Sequence, residues 1–571
     1  MIWNLNVAIV GCFQVDVIKI KGVENEKIKS GSGFLSVILV SLVVLAGCGA
    51  KKGGYAAEQT MNLAADAPLD TLDVSKANGY GQTGNVFESL YRLGKNGKTT
   101  PGLASEAKVS KDGLTWTFKI RKNAKFSDGS KITAHDFVYS WQRTINPKTK
   151  ALYAYLFEGI KNADQINAGK MDPSKLGVEA KDDQTFVVHL DQPIQYFKVL
   201  MSYPLFSPIS QKAVEKYGDK YGTKAQYTVY SGPFKVKGWT GTNDTWSFVK
   251  NPQYWDKKVV KLDQIKFRVV ENPQTKLNLY QSGKLDYTQL SSEQVKNYKN
   301  NKDYTTFPYS ITTFLQYNFN DADKTKRKAF NNVNIRKAIA YSINRKQLIE
   351  KIIGDASTPS KGLVPTDLAN NPKTGKDFAD DAYLDGTIEY NQKQAKQYWE
   401  KGLQEIGVKN LKLNLTSDNE GNSKNYAEFY AQSLEKTLPG LQIHIVNVPS
   451  QVAYSRSQSG EFDILVGHWG ADFNDPISHL QILQKNSAYN YGKWDNTEYN
   501  SLVKKAQNED ANNAEKRWQD MIKAEQIVMK EQAVSPLYQT VYSYLKNPKV
   551  KGVIHNTAGT QWNYKYAYIT N

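Results

Sequence analysis

Cysteine, methionine and histidine are scarce: 2, 6 and 6 residues in a chain of 571. Cys12 and Cys48 both stand near the N-terminus, so the long body after them can form no internal disulfide. That body must be stabilised by burial alone, and it is long enough to be. His135, His189, His444, His468, His479 and His555 show neither H-E-x-x-H spacing nor cysteine company, so no metal site is expected. A G-x-S-x-G nucleophile elbow is absent too, and nothing argues for covalent chemistry. No catalytic residue and no cofactor are therefore expected. No period of 20–50 residues recurs, which excludes a repeat array. No low-complexity linker cuts the body, so its domains should be intimate.

A membrane-spanning run is also missing. The apolar stretch Phe34–Leu45, relieved only by Ser36 and Ser41, is short of the roughly 20 residues a span needs. Lys27 and Lys29 precede it and Leu45-Ala46-Gly47-Cys48 follows, which gives the parts of a secretory signal cut before a cysteine. This is the pattern of a bacterial lipoprotein: residues 1–47 are removed and Cys48 carries diacylglycerol, each buried methylene contributing about 0.8 kcal/mol. Residues 48–57 then hold the lipid and a flexible tether. Met1–Gly22 forms a second, weaker apolar segment containing Asp16, Lys19 and Lys21. Signals do not come doubled, so Val23 is expected to be the initiator. The body is expected outside the cell, on the extracellular face of a Gram-positive type cytoplasmic membrane.

The net charge is +18, and removal of residues 1–47 takes away four lysines and three acidic residues, leaving +17. The basic residues are spread rather than blocked, and the chain is exported, so a nucleic-acid partner is not expected. Positive charge beside anionic lipid and a polyanionic wall favours retention at the surface. Thirty-five tyrosines suit either anchored cores or a wet binding surface.

Along the chain, Gln59–Leu63 alternates as a strand, and Gly84–Tyr91 reads as a helix. Gly79-Tyr80-Gly81-Gln82-Thr83-Gly84 matches G-x-G-x-x-G but follows no apolar strand, so it carries no dinucleotide reading. Gly94-Lys95-Asn96-Gly97-Lys98-Thr99 lacks the first glycine of a phosphate loop, and Asn96-Gly97 reads as a tight turn. Leu114–Ile120 alternates as a strand, and Thr133 with Asp136 caps a helix carrying Phe137, Val138 and Trp141. Strands are expected near 185–190, 233–239, 245–249 and 265–270. Later, Ile335, Ala338, Ile339, Ser342 and Ile343 share a helical face. Asn391 caps a helix ended by Gly402, and Leu411–Leu415 and Ile443–Val448 read as strands. Such helix–strand alternation implies an α/β fold with partly parallel sheets.

Several stretches together resemble one family. They are Asn85–Leu90, Asp112–Phe118, Phe126–Gly129, Ser231–Phe234, Asn251–Trp255, Asn334–Ile339, Trp469–Pro476 and Pro536–Tyr538. Their order, from about 58 to 571, is similar to that of the peptide-binding lipoproteins that feed ABC importers, the family 5 extracellular solute-binding proteins. The resemblance implies a two-lobed fold of the type II (cluster C) periplasmic-binding-protein kind with an extra domain. Lobe I would comprise 58–95, 228–310 and 536–571, with the extra domain at 96–227 and lobe II at 311–535. An oligopeptide would lie extended in the interlobe cleft, bound through its backbone by β-strand addition. The partners implied are permease subunits of an ABC importer and the membrane, and the working form is a monomer.

The resemblance makes Asp472 the partner of the peptide's terminal ammonium, whereas Asp472–Pro476 taken alone reads more readily as a self-bonded turn. His468, Trp469 and Gly470 would supply a strand edge alongside the peptide, and Ala65 and Asp66 a second edge. Tyr153, Tyr155 and Tyr317 are candidate pocket walls, each with a buried core tyrosine as the alternative. Where some relatives carry an arginine six residues before this aspartate, the chain has Val466. The rival readings are the same fold with another ligand (signalling peptide, dipeptide, haem, nickel complex), an exported hydrolase, and a wall-binding adhesin.

Overall fold

Met61, Leu63 and Ala65 point into the core from the strand Thr60–Ala65. This strand runs parallel to Gln264–Val269, with Thr60 beside Gln264 and Ala65 beside Val269. Thr245–Lys250 and Phe234–Lys237 add antiparallel neighbours, which completes a four-stranded sheet. The C-terminal tail closes on its first strand: the Gln59 side chain donates to the Ile569 carbonyl at 2.9 Å and accepts from its N–H at 3.0 Å. A computed structural model describes residues 54–571 apart from Asn78 and Gln82. The signal segment, the upstream stretch 1–22, Cys48 and the start of the tether lie outside the described residues.

Between the first strand and its partner the chain builds a separate antiparallel sheet from Ala104–Val109, Thr115–Ile120, Thr185–His189 and Val178–Asp182. The helix Ala134–Ile145 lies over it and buries Phe137 and Trp141. The Asp136 carboxylate accepts from the N–H and hydroxyl of Thr133, the expected cap.

A seven-stranded mixed sheet organises the rest. Its order is Tyr287–Gln289, Val534–Lys546, Tyr304–Tyr317, Ile464–Gly470, Leu411–Asp418, Leu441–Val448, with Thr358–Pro359 also on Val534–Lys546. Leu411–Asp418 is parallel to Leu441–Val448 and to the start of Ile464–Gly470, with Ser423–Thr437 and Ser450–Ser459 as intervening helices. The two long strands 304–317 and 534–546 are antiparallel, and their register slips between Pro308 and Thr312. Pro308 faces Val541 while Thr312 faces Gln539, so residues 309–311 bulge opposite a single residue. Bulges bend a strand and raise its twist.

Two expectations are corrected. Gly84–Tyr91 is not a helix: a 3₁₀ turn at Thr83–Asn85 leads to the short strand Tyr91–Leu93. Tertiary partners override propensity there. Asn85 donates to the Trp562 carbonyl and accepts from Tyr564 N–H, and Glu88 is bonded by Arg92, Tyr254 and Trp255. The Asn391-capped helix runs through Gly402 to Ile406 and ends at Gly407 (φ 77°). Gly402 lets this helix approach Ile335, whose Cδ1 would lie 2.6 Å from an added Cβ. The Asn96-Gly97 turn is present, both residues at positive φ (56° and 66°), in the hairpin joining Tyr91–Leu93 to Thr99–Pro101.

Candidate functional site

The strand Ile464–Gly470 pairs with 304–317 on one side, His468 opposite Thr313, Trp469 opposite Thr312 and Gly470 opposite Ile311. On its other side Leu411–Asp418 reaches only Ile464 and Leu465. From Val466 onward that edge has no strand partner among the described residues, and His468 is exposed. Ala471 N–H closes the strand on Ser310 at 3.1 Å. The next residue is Asp472, and its N–H is held by the Ser478 hydroxyl at 3.0 Å. The Trp469 indole donates to the Ser478 carbonyl at 2.7 Å, so one short helix, Ile477–Leu480, fixes both residues.

Asp472 as a whole is partly exposed, but its Oδ2 is sealed from solvent and has no hydrogen-bond partner among the described residues. Burial pushes its carboxyl up to about 6, with the neighbouring Tyr155 hydroxyl pulling the other way. No cation among the described residues contributes to that balance. Three residues on, Asp475 is gripped by both terminal nitrogens of Arg517 at 2.7 and 2.9 Å, and it accepts from Ile477 N–H. Turn formation and charge neutralisation thus fall to Asp475, and Asp472 is left as a carboxylate without a counter-charge from the described residues.

Aromatic rings wall this carboxylate. Trp469 lies 4.6 Å from Tyr489, Tyr489 6.4 Å from Tyr155, and Tyr155 6.1 Å from Tyr153, centroid to centroid. Tyr80 packs on both Tyr153 (5.2 Å) and Tyr203 (4.9 Å). In Tyr153, Tyr155, Tyr203 and Tyr489 burial, then the negative charge of Asp472, raises the hydroxyl above its ordinary range. They stay neutral. His479 beside them is fully buried and held down to about 3 by desolvation, so it too is uncharged. The site therefore offers one anion in an apolar, ring-lined surround, a setting that favours a single fixed cation.

Ala65 and Asp66 lie elsewhere, beside a separate cavity. Asn62 exchanges bonds with Asp286 through its N–H (2.7 Å) and carbonyl (2.8 Å), and beyond it Leu63–Asp66 line a cavity of about 510 Å³. Tyr309, Tyr542 and Trp562 form its ring wall, and Lys276 bridges to Asp66 at its mouth. Asp472 is not in that wall. The two places are joined through Tyr309, which lines the cavity, and its neighbour Ser310, which holds Ala471.

The structure gathers Asp472, Trp469, Tyr153 and Tyr155, four of the residues singled out from sequence. Tyr317 is a correction: it is fully buried, its hydroxyl 2.6 Å from Ser535 and its ring stacked on Phe330, so it belongs to the core. Sequence reasoning misses Tyr80, Tyr203 and Tyr489. Tyr80 sits inside the glycine-rich stretch that carries no dinucleotide reading, and that cluster of glycines is the one local signal for it. Among the described residues no group of three or more His, Cys, Asp or Glu is placed to hold a metal, and no helix is long and apolar enough to cross a membrane.

The family model for bacterial extracellular solute-binding proteins, family 5 (middle region), matches residues 98–491. A dipeptide-binding protein of Lactococcus lactis subsp. cremoris (strain MG1363) is 36% identical over 546 residues, covering 94% of this chain and 98% of the relative. Peptide-bound OppA of Listeria monocytogenes is 36% identical and superimposes with a TM-score of 0.75, over 90% of this chain and all of that one. The pheromone receptor PrgZ, at 36% identity and a TM-score of 0.76, covers the same shares.

Proposed function

The chain belongs to family 5 of the bacterial extracellular solute-binding proteins, and from that premise we propose that it is a lipid-anchored receptor that captures oligopeptides and passes them to an ABC importer. Family membership makes it an extracellular solute-binding protein rather than an enzyme. The observation that carries the peptide reading is Asp472, a carboxylate sealed among rings with no cation of its own among the described residues. A peptide's terminal ammonium supplies the missing charge. The open edge at Val466–Gly470 then pairs with the peptide backbone, and Leu63–Asp66 offers a second edge beside a roomy cavity. Backbone pairing reads length and direction and leaves most side chains free. The names of the relatives, which cover dipeptides, oligopeptides and a pheromone, support a peptide ligand.

Val466 presents no cation to a short peptide's carboxylate, so a carboxylate anchor of the kind some relatives place there is not supplied at this position. In this reading lobe I comprises 58–95, 228–310 and 536–571 with the extra domain 96–227 attached, and lobe II spans 311–535. The Gln59–Ile569 closure and the separate sheet within 104–189 support that division. The bulged strand pair acts as the hinge. The lipid is carried by Cys48.

The deciding experiment is calorimetry of the mature protein with an oligopeptide and its N-acetylated form. Acetylation should abolish measurable binding, and Asp472→Ala should weaken the free peptide by about 2–5 kcal/mol, much of it from stranding the ammonium. Equal affinity for the two peptides overturns the reading.

A further inference from the structure

The backbone of Tyr55 bridges to Thr570, and Ala56 N–H donates to the Ile569 carbonyl at 2.8 Å. The tail brings a further stretch to the same corner: Val550 and Lys551 pair with Ile569 and Tyr568, and Thr570 N–H donates to the Lys549 carbonyl at 3.0 Å. Two rings stand out into solvent here. Tyr55 is 57% exposed, its ring edge-on to Tyr568 at 5.2 Å, and Tyr566 is 37% exposed. Such amphipathic rings are the ones that membrane–water interfaces favour.

Lysines surround them. The Lys261 ammonium lies 5.9 Å from the centre of the Tyr55 ring and donates to the Lys258 carbonyl at 3.1 Å, and Lys551 stands opposite Tyr568. Lys257, Lys258, Lys261, Lys549 and Lys551 are all exposed and form no ion pair among the described residues, whereas buried Lys565 is held by Asp256 at 2.8 Å. Burial and the like charge of Lys551 lower the Lys546 ammonium, and no acid offsets them. The opposing charges are Glu58 and Asp263, which stand together at one margin where Asp263 N–H meets the Gln59 carbonyl at 2.9 Å. Even with a terminal carboxylate on Asn571 counted, positive charge is in excess.

On a chain of net charge +18 a basic patch alone selects no partner. Its position does. Cys48 is seven residues before Tyr55, so with lipid on that cysteine this corner stays within about 24 Å of the bilayer, the most such a tether spans. Headgroups are then the polyanion it meets first, and attraction between lysines and an anionic surface acts within about a Debye length of it. We propose that this face docks on anionic phospholipid headgroups, its tyrosines entering the interface and its lysines pairing with phosphates. No residue of the face lines the Ala65 cavity. Only its placement near the bilayer rests on the lipid-anchored reading; peptide capture is not needed for it. A lipid alone leaves the body free to turn, and a docked face fixes its orientation.

The test uses the mature chain from Cys48 made without its signal, so that it carries no lipid and the face is read alone. It should co-sediment with equimolar phosphatidylcholine–phosphatidylglycerol vesicles far better than with pure phosphatidylcholine, and added salt should erase the difference. Lys258→Glu, Lys261→Glu and Lys551→Glu together should weaken that binding by about tenfold or more and leave oligopeptide affinity unchanged. Lys393→Glu, Lys396→Glu and Lys412→Glu, at exposed positions of the proposed second lobe, lower the net charge equally and should cost less than about threefold. Tyr55→Ser should weaken vesicle binding by about threefold without altering its salt dependence. Equal loss in the two triple variants, no preference for phosphatidylglycerol, or capture by soluble polyglycerol phosphate in place of vesicles overturns the proposal. Lipid on Cys48 is read separately, from the mass of the protein extracted from membranes, so failure of the anchor and failure of the docking face leave different marks.

Discussion

Asp472 and Asp475 share one turn, and their partners separate them: Arg517 neutralises the second, and no cation among the described residues reaches the first. The difference predicts a pH signature. Burial raises the Asp472 carboxyl from its ordinary value to about 6 in the empty protein, so folding favours its protonated form. Its contribution to stability is therefore full at low pH and is lost as pH rises through about 6. An ammonium ligand needs the ionised form, so affinity should run the other way. Between pH 7 and pH 5 peptide affinity should fall by up to about tenfold, since one unit below its pKa a carboxyl is about nine-tenths protonated. The fall should vanish in Asp472→Asn; calorimetry at several pH values reads it, and an identical slope in the variant assigns the effect to another group. At this scale legibility is uneven. Trp469 and Asp472 stand in one of the stretches that carry the resemblance, Tyr153 and Tyr155 are only candidate walls beside an equal core alternative, and Tyr489 and Tyr203 reach the cluster from distant segments that no local pattern connects to it.

Elements whose apolar residues repeat at a single period are legible with their type and span nearly right, as at 115–120, 264–269, 411–418 and 441–448. Where sequence and structure part, contacts distant in sequence decide the outcome. The segment 84–91 bends to meet Trp562, Tyr254 and Trp255, residues more than 160 positions away. Gly402 looks like a helix terminator because glycine usually is one, yet it serves as a contact surface. That contact sets two effects against each other. Gly402→Ala gains about 1 kcal/mol of helix propensity. The new Cβ would stand 2.6 and 2.8 Å from two carbons of Ile335, which is fully buried and has no room to withdraw. Overpacking costs about 1–3 kcal/mol, so the net should be a lower urea midpoint. Ile335→Ala in the same chain should remove that added penalty, a coupling that a double-mutant cycle measures. A stabilised single variant means the two helices can separate at no cost.

For the whole molecule the question is what holds its parts together. Tyr196, from the proposed extra domain, stacks on Phe473 of the proposed second lobe with centroids 4.3 Å apart and planes 9° from parallel, and Arg517 lies 5.9 Å from the Tyr196 ring. Asn512 donates to the Asp112 carbonyl at 3.1 Å, and the Thr557 hydroxyl donates to the Asp367 carbonyl at 3.0 Å. None of these groups touches the carboxylate of Asp472, so they form a clasp separate from the ligand contacts. A clasp made only when the lobes are closed adds to affinity through the closed population, because apparent affinity scales with the fraction of competent molecules. The ring pair alone is worth about 0.5–1.5 kcal/mol. Tyr196→Ala combined with Asn512→Ala should therefore weaken oligopeptide binding by about two- to tenfold, chiefly through faster dissociation. The discrimination against N-acetylated peptide should persist, since the anion that imposes it is untouched. Small-angle scattering of the empty double variant should give a larger radius of gyration than the wild-type chain, and saturating peptide should bring the two together. If affinity and radius both match wild type, the same contacts persist with the lobes apart, and closure has to be driven by the ligand alone.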